Sequence, residues 1–154
     1  MITAAPEWAY RVYPQARQET REGKQRTRHM SGSCVTGGFP GLCLDHDDYR
    51  AAAERFLKTL VNRYQDHPGL GAYDIWNECN TWRDTCYCPA TSQRFRLWLK
   101  EKYENLEVLG KAWHRHSFAS WEDVVPPRHL GPYPDTLDWL KFRIDNAYRL
   151  MRWR

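Results

Sequence analysis

A glutamate follows an apolar, strand-like run near the middle of the chain. Residues 70–76 read LGAYDIW, and Asn77 and Glu78 come directly after them. In α/β barrels, side chains just beyond the carboxyl end of a strand face the active-site mouth. A carboxyl group between apolar walls can hold its proton near neutral pH, and flat rings such as that of Trp82 stack on sugars. These residues fit general acid/base chemistry on a sugar, although the Asn-Glu dipeptide alone favours an ordinary solvated loop.

Five cysteines form the second group of side chains that could do chemistry. Cys86 and Cys88 are two residues apart after the apolar run, and Cys43 ends a long loop before a helical segment. Thiolates collected from two loops can hold a tetrahedral Zn²⁺, and Cys34 or Cys79 are further possible donors. Cys-x-Cys is a weak signal by itself, so structural thiols without a metal stay an open alternative. The odd number of cysteines argues against a purely disulfide-paired secreted domain.

Length and composition indicate one globular domain. The chain has 154 residues, of which 42% are hydrophobic, and eight Trp, nine Tyr and five Phe can build a core. The net charge of +4 comes partly from residues 16–29, which we expect to be a solvated loop without a nucleic-acid partner. No apolar run reaches the ~20 residues of a membrane helix, and no secretory signal is present in the sequence as given. We therefore expect no membrane partner and a cytoplasmic setting, provided that Met1 is the true start.

The spacing of apolar residues predicts a helix-rich chain with two strands. One strand lies before Pro6, the other at 70–76, and residues 17–44 form a long loop. A short helical segment ends at Pro14. Four longer helices are predicted at about 46–66, 89–103, 106–114 and 136–152. The close step from a helix to a strand near residue 70 is typical of parallel α/β proteins.

Two of these helices carry an apolar stripe that we expect to face a core. On the helix at 46–66 the stripe consists of Tyr49, Ala53, Phe56, Leu57, Leu60 and Tyr64. On the last helix it consists of Leu137, Leu140, Ile144, Tyr148 and Met151. Acidic residues at the helix starts are predicted caps: Asp45 or Asp47 for the first helix, and Asp135 with Asp138 for the last.

Motifs along almost the whole chain resemble those of glycoside hydrolase family 42 β-galactosidases. In order they are TAAPEW (3–8), CLDHDDYR (43–50), RYQDHPGLGAYDIWNE (63–78), CYCPATSQRFRLWLKEKY (86–103), LGKAW…SWEDVVPPR (109–128) and LDWLKFRID (137–145). Asn-Glu is common among retaining glycosidases, but the ordered set is much more selective. The resemblance implies an α/β fold class: a helix-rich fragment of a TIM (β/α)8 barrel with roughly two to three strand–helix units, since a complete barrel takes ~250 residues. Residues 1–154 are then a partial catalytic barrel domain, incomplete at both ends.

The resemblance also implies roles for individual residues. Glu78 is the general acid/base in the retaining hydrolysis of terminal β-D-galactosides, and Asn77 contacts the sugar hydroxyl next to the reacting carbon. Retention needs a second carboxylate ~5 Å away, which the family places on a later strand, so we expect the chain alone to be inactive. The alternative is a non-catalytic carbohydrate-binding or zinc-stapled structural module. The family further suggests a parent protein that forms homotrimers.

Two departures from the family pattern bear on these expectations. Many members bind zinc through four cysteines, the last three of them spaced as Cys-x-Cys-x-x-Cys. This chain keeps the first three, but Thr91 stands at the fourth position, so either Cys34 or Cys79 substitutes or the site is degraded. Residues 37–43 also lack the arginine by which the family contacts its substrate. The second departure weakens the expectation of galactose more than that of a glycosidase.

Overall fold

The computed structural model describes residues 7–25, 42–73, 86–115, 118–129 and 131–153. Its helices are α1 (Glu7–Val12), α2 (Asp47–Tyr64), α3 (Pro89–Tyr103), α4 (Leu106–Ala112) and α5 (Pro134–Trp153), with single 3-10 turns at Pro14–Ala16 and Trp121–Asp123. These bounds agree closely with the predicted helices. In the described ranges no helix is both long and apolar enough to cross a membrane.

The predicted second strand is absent where the structure describes it. Residues 70–73 have irregular backbone and are mostly exposed. Residues 74–76 and the predicted first strand lie outside the described residues. A central strand needs hydrogen-bonded neighbours on both edges, and the described ranges offer only isolated antiparallel bridges, Arg17 with Leu42 and Glu19 with Gln25. The helix-rich character is confirmed, whereas the strand–helix units stay a prediction.

The main apolar core lies between α3, α4 and α5. Its buried side chains are Tyr87, Phe95, Leu99, Leu109, Trp113, Val124, Trp139 and Phe142. The ring of Phe95 lies at its centre, 5.1 Å from Trp139 and 5.2 Å from Phe142 between ring centroids. Aromatic pairs of this kind contribute about 0.5–1.5 kcal/mol each beyond the area they bury. The core therefore fixes the middle of α3 relative to the N-terminal half of α5.

Helix α5 packs through a different face from the predicted one. Its buried residues are Thr136, Asp138, Trp139, Phe142 and Asn146. The predicted stripe is largely exposed: Leu137 by 62%, Ile144 by 53% and Tyr148 by 63%. Both faces carry large apolar side chains, so periodicity alone does not distinguish them. The aromatic face is buried because its rings interlock with Phe95 of α3.

Helix α2 contributes no buried residue to the described structure. The predicted burial of its apolar stripe is therefore wrong within these ranges, where Phe56 is 51% and Tyr64 42% exposed. The predicted cap is also wrong, because the helix begins after His46, whose Nδ1 accepts from the Tyr49 backbone N–H at 3.4 Å. Asp47 pairs instead with Arg94 of α3 at 2.7 Å. An amphipathic helix with an uncovered apolar face gains little stability from packing.

Asp138 has a structural role in place of the predicted capping role. Helix α5 begins at Pro134, so Asp138 lies inside it and points toward α3 and α4. Its Oδ2 accepts from the Tyr103 hydroxyl at 2.6 Å and from Trp113 Nε1–H at 2.9 Å, while Oδ1 pairs with Lys102. A buried carboxylate is tolerated when its oxygens are satisfied in this way. The network joins three helices at the edge of the core.

We predict that Phe142→Ala lowers the free energy of unfolding by about 3–4 kcal/mol, since it removes a large buried ring. The matched change Ile144→Ala, on the exposed face of the same helix, should alter it by less than about 0.5 kcal/mol. Urea denaturation followed by tryptophan fluorescence measures both. A larger loss for Ile144→Ala than for Phe142→Ala would mean that α5 packs through the face predicted from its sequence.

Candidate metal centre

Three of the five cysteines lie together in the structure. Cys43, Cys86 and Cys88 are buried free thiols whose sulfur atoms all lie within 4.8 Å of one another. We call them the cysteine cluster. Ligand sulfurs around a tetrahedral metal, each about 2.3 Å from a zinc ion, are separated by comparable distances. The cluster could therefore hold a metal ion.

The predicted catalytic and substrate-binding residues Asn77, Glu78 and Trp82 lie outside the described residues. The same is true of Cys34 and Cys79, the two candidates for a fourth sulfur ligand. The described part of the site is built from the loop before α2, a hairpin near the N-terminus, the start of α3 and one face of α5.

Cys43 is held by backbone contacts on both sides. Its N–H donates to the carbonyl of Ala16 at 2.6 Å, and its own carbonyl accepts from the His46 N–H at 3.2 Å. Ala16 and Leu42 are buried together with Ala9 in a small apolar cluster. These contacts fix the thiol before the first turn of α2.

Cys86 is positioned by a hairpin over residues 17–25. The Glu19 N–H donates to Cys86 Sγ at 3.2 Å, and the Glu19 carbonyl accepts from the Tyr87 N–H at 2.9 Å. The Cys88 N–H also donates to Cys86 Sγ, at 3.4 Å. Backbone donors aimed at a sulfur favour its thiolate, which is the form that binds metals.

Arg128 fastens this hairpin to the aromatic core. Its guanidinium donates to Glu19 Oε1 at 2.6 Å and to the Arg21 carbonyl at 2.5 Å. The same group lies 5.3 Å from the centroid of the Tyr87 ring. The turn of the hairpin contains Gly23 at φ 83°, a backbone conformation that glycine adopts without strain. Arg128 thus contacts both the hairpin and Tyr87, the two parts of the chain that flank Cys86.

Thr91 occupies the side of the cluster where the family pattern has its fourth cysteine. Cys88 directly precedes α3, and Thr91 lies fully buried in the first turn of that helix. Its Oγ1 is 3.1 Å from Cys43 Sγ and 3.5 Å from Cys88 Sγ. The threonine hydroxyl is therefore in contact with two of the three thiols.

Asp45 is a site residue that the sequence analysis missed, because it was predicted to be a helix cap. Its side chain is only 2% exposed. Oδ2 accepts from Thr91 Oγ1 at 2.8 Å and lies 3.8 Å from Cys43 Sγ. Oδ1 accepts from Arg149 at 2.5 Å and from Asn146 Nδ2 at 3.1 Å. The available signal was the Cys-x-Asp spacing, which places a carboxylate on the same loop as the first thiol.

The three thiols differ in the direction in which their surroundings shift the pKa. Hydrogen bonds from the other two thiols lower the pKa of Cys88. Cys43 is the donor in its hydrogen bonds with the other two thiols, and these bonds raise the pKa of Cys43 well above its usual value. Burial raises the pKa of Cys86 to about 12. Thiolates so close together repel one another, so ionising all three requires a cation among them.

Helix α5 brings two arginines to the cluster. Burial lowers the pKa of Arg143, while the negative charges of Cys86 and Asp45 act in the opposite direction. Its Nε is buried and has no hydrogen-bond partner within the described ranges. Arg149 reaches Asp45 directly from the same side of the helix. Neither arginine was predicted from the sequence, because the apolar stripe that suggests the interior face of α5 lies on the opposite side of the helix.

The glycoside hydrolase family 42 model, described as β-galactosidase, matches residues 2–153. β-Galactosidase BgaA of Planococcus sp. (strain 'SOS Orange') is 32% identical over 166 residues, covering 96% of this chain and 22% of the relative. β-Galactosidase LacZ of Lactobacillus acidophilus is 33% identical over 164 residues, covering 97% of this chain and 23% of the relative. The chain thus spans about a fifth of the length of these curated relatives.

Solved structures of β-galactosidases have a similar fold. That from Rahnella sp. R3 superposes with a TM-score of 0.75 at 26% identity, covering 96% of this chain and 21% of the other. That from Bacillus circulans sp. alkalophilus gives a TM-score of 0.67 at 27% identity, covering 97% of this chain and 23% of the other. The arrangement of helices described above therefore recurs within larger proteins.

We predict that Cys43→Ser weakens divalent metal binding by more than about 100-fold, because losing a ligand costs more than the 10–100-fold typical of an outer-shell partner. Ser92→Ala, a change beside the cluster that removes no sulfur, should leave metal binding unaltered. Metal analysis after dialysis and the absorption of the cobalt-loaded protein provide the measurements. Equal metal content in Cys43→Ser and the unchanged chain would exclude Cys43 as a ligand.

Proposed function

Because the chain belongs to the glycoside hydrolase family 42 β-galactosidases, we propose that it supplies the acid/base half of a retaining β-galactosidase. The observation that carries this proposal is the match of the family model over residues 2–153, which includes the segment with Asn77 and Glu78. Relatives 32% and 33% identical that are named β-galactosidases support a terminal β-D-galactoside as the substrate. The homotrimer expected of the parent protein belongs to the same proposal.

In the proposed reaction Glu78 acts twice. It first donates its carboxyl proton to the glycosidic oxygen while a second carboxylate attacks the anomeric carbon and the leaving group departs. Its carboxylate then takes a proton from the water that attacks the same carbon and releases the second carboxylate. Asn77 hydrogen-bonds the neighbouring sugar hydroxyl, and Trp82 stacks on the sugar ring. The family resemblance assigns the nucleophilic carboxylate to a later strand, so the proposal expects these 154 residues alone to be inactive.

The proposal assigns the cysteine cluster to a structural zinc ion. Sulfur-rich, buried donor sets are typical of structural zinc sites. Cys43 and Cys86 lie at the two ends of the chain segment that contains α2 and Glu78, and only residues 79–85 separate Glu78 from Cys86. A zinc ion that joins these ends shortens the free length of the segment and so restricts where Glu78 can lie. Zinc would thus support catalysis by position, without contacting the substrate.

The role of Glu78 is tested with Glu78→Gln in a form of the protein that hydrolyses β-galactosides. We predict a 10²–10⁴-fold loss of kcat on galactosides with poor leaving groups, the usual contribution of a general acid. The loss in the first step should be much smaller for aryl galactosides with good leaving groups, which need no protonation. Added azide should restore turnover, because it attacks the glycosyl-enzyme without a general base.

Glu107→Gln serves as the control, since Glu107 is exposed and pairs only with Lys111 one helical turn away in the described contacts. It should leave kcat and KM unchanged. Hydrolysis by Glu78→Gln at the unchanged rate on all substrates would refute the acid/base role. Binding of galactosides without turnover, even with the nucleophile present, would favour the carbohydrate-binding alternative.

A further inference from the structure

We propose that Asp45 supplies the fourth ligand of the cysteine cluster, so that three sulfurs and one carboxylate oxygen hold the metal. The inference rests on the proposed zinc ion and identifies the donor at the corner where Thr91 replaces the cysteine of the family pattern. With Asp45 as a ligand, the site has four ligands although its sequence lacks the fourth cysteine.

Two described oxygen atoms lie beside Cys43 and could supply a fourth ligand. Thr91 Oγ1 is 3.1 Å from Cys43 Sγ and 3.5 Å from Cys88 Sγ, and Asp45 Oδ2 is 3.8 Å from Cys43 Sγ. With zinc–sulfur bonds of about 2.3 Å and zinc–oxygen bonds of about 2.0–2.2 Å, a tetrahedral site separates sulfur from oxygen by roughly 3.5 Å. Thr91 Oγ1 thus contacts two sulfurs, whereas Asp45 Oδ2 lies beside Cys43 Sγ, and a bound metal would draw this carboxylate oxygen toward Cys86 and Cys88.

The chemistry of the two groups favours the carboxylate. Protein ligands of zinc are thiolates, imidazoles and carboxylates, whereas a threonine hydroxyl is neutral and weakly basic. The Thr91 hydroxyl donates to Asp45 Oδ2 at 2.8 Å, so its proton already has an acceptor. Thr91 is then a partner that orients the ligand Asp45, and it fills the space that a fourth cysteine would occupy.

The other oxygen of Asp45, Oδ1, accepts hydrogen bonds of the kind that orient a metal-binding carboxylate. Oδ1 accepts from Arg149 at 2.5 Å and from Asn146 Nδ2 at 3.1 Å, both on α5. Carboxylates that bind metals are commonly fixed by hydrogen bonds of this type. Asn146 Nδ2 is also 3.1 Å from Oδ2. Oδ1 receives the Arg149 bond, so Oδ2 is the oxygen that in addition contacts Thr91 and lies nearest to Cys43.

The charges of the site also balance with Asp45 included. Three thiolates and one carboxylate carry four negative charges, of which a divalent ion compensates two. Arg149 pairs directly with Asp45, and the half-buried Arg143 lies within electrostatic reach of Cys86, Cys43 and Asp45. The two guanidinium groups supply the remaining two positive charges. A neutral total avoids the large cost of burying net charge.

The first test is X-ray absorption at the zinc edge of the zinc-loaded chain. We expect three sulfurs at about 2.3 Å and one oxygen at about 2.0–2.2 Å. The double variant Cys34→Ser with Cys79→Ser should give the same spectrum and the same metal content. Four sulfurs in the unchanged chain, reduced to three in this variant, would overturn the inference in favour of a distant cysteine.

The second test separates Asp45 from Thr91. Asp45→Asn should weaken zinc binding by more than about 100-fold and remove the short oxygen contact, whereas Thr91→Val should keep that contact and lose no more than the roughly 10–100-fold of an outer-shell partner. Cobalt-loaded samples provide an independent readout through the ligand-field bands. The inference fails if Thr91→Val loses the oxygen while Asp45→Asn keeps it, or if Asp45→Asn binds zinc as tightly as the unchanged chain.

A rescue variant guards against simple misfolding of Asp45→Asn. Adding Thr91→Cys to Asp45→Asn restores the Cys-x-Cys-x-x-Cys spacing, so tight zinc binding should return with four sulfurs in the absorption spectrum. Failure of this rescue would mean that Asp45 is needed for folding and not for ligation. If the unchanged chain retains no zinc at all, the proposal of a zinc site fails and the choice of a fourth ligand fails with it.

Discussion

Three thiols buried within 4.8 Å of one another, with a buried carboxylate 3.8 Å from one of them, favour positive charge close by. Much of the described structure supplies that charge or holds it in place. Arg149 and Arg143 approach from α5. Backbone N–H groups of the hairpin and of Cys88 point at Cys86. The aromatic core packs α5 against α3 and so holds these two arginines close to the cysteine cluster at the start of α3. In the proposed site a divalent ion at the cysteine cluster completes the compensation, which would tie the folding of these segments to metal binding.

The apolar faces of α2 and α5 show how this arrangement relates to a larger fold. Phe56 on α2 and Ile144 and Tyr148 on α5 are exposed within the described chain. In an α/β barrel each helix covers the strands through a face of this kind. Their exposure agrees with the barrel fragment predicted from the sequence and with the match to β-galactosidase structures four to five times longer.

Local patterns in the sequence predicted the helices well, because Pro89, the apolar spacing and the break near residue 66 are short-range signals. Local spacing also grouped Cys43, Cys86 and Cys88 as possible metal ligands, and the family resemblance placed Thr91 at the position of a fourth cysteine. The packed face of α5 could not be predicted, since both faces are apolar and the choice depends on the partner rings in α3. Asp45 and Asp138 were wrongly predicted to be caps. An acidic residue near a helix start looks the same in the sequence whether its carboxylate binds the free N–H groups of that helix or side chains distant in sequence.

The claim that a metal at the cysteine cluster fastens the hairpin and the loop before α2 to α3 is tested most directly by amide hydrogen exchange of the zinc-loaded chain, before and after chelation. We predict that the N–H groups of Cys43 and Tyr87, which bond to Ala16 and Glu19, exchange more than roughly tenfold faster once the metal is removed, since local opening then costs less. Amides in the middle of α3 should change little. Unchanged protection at Cys43 and Tyr87 after complete removal of the metal would contradict that claim.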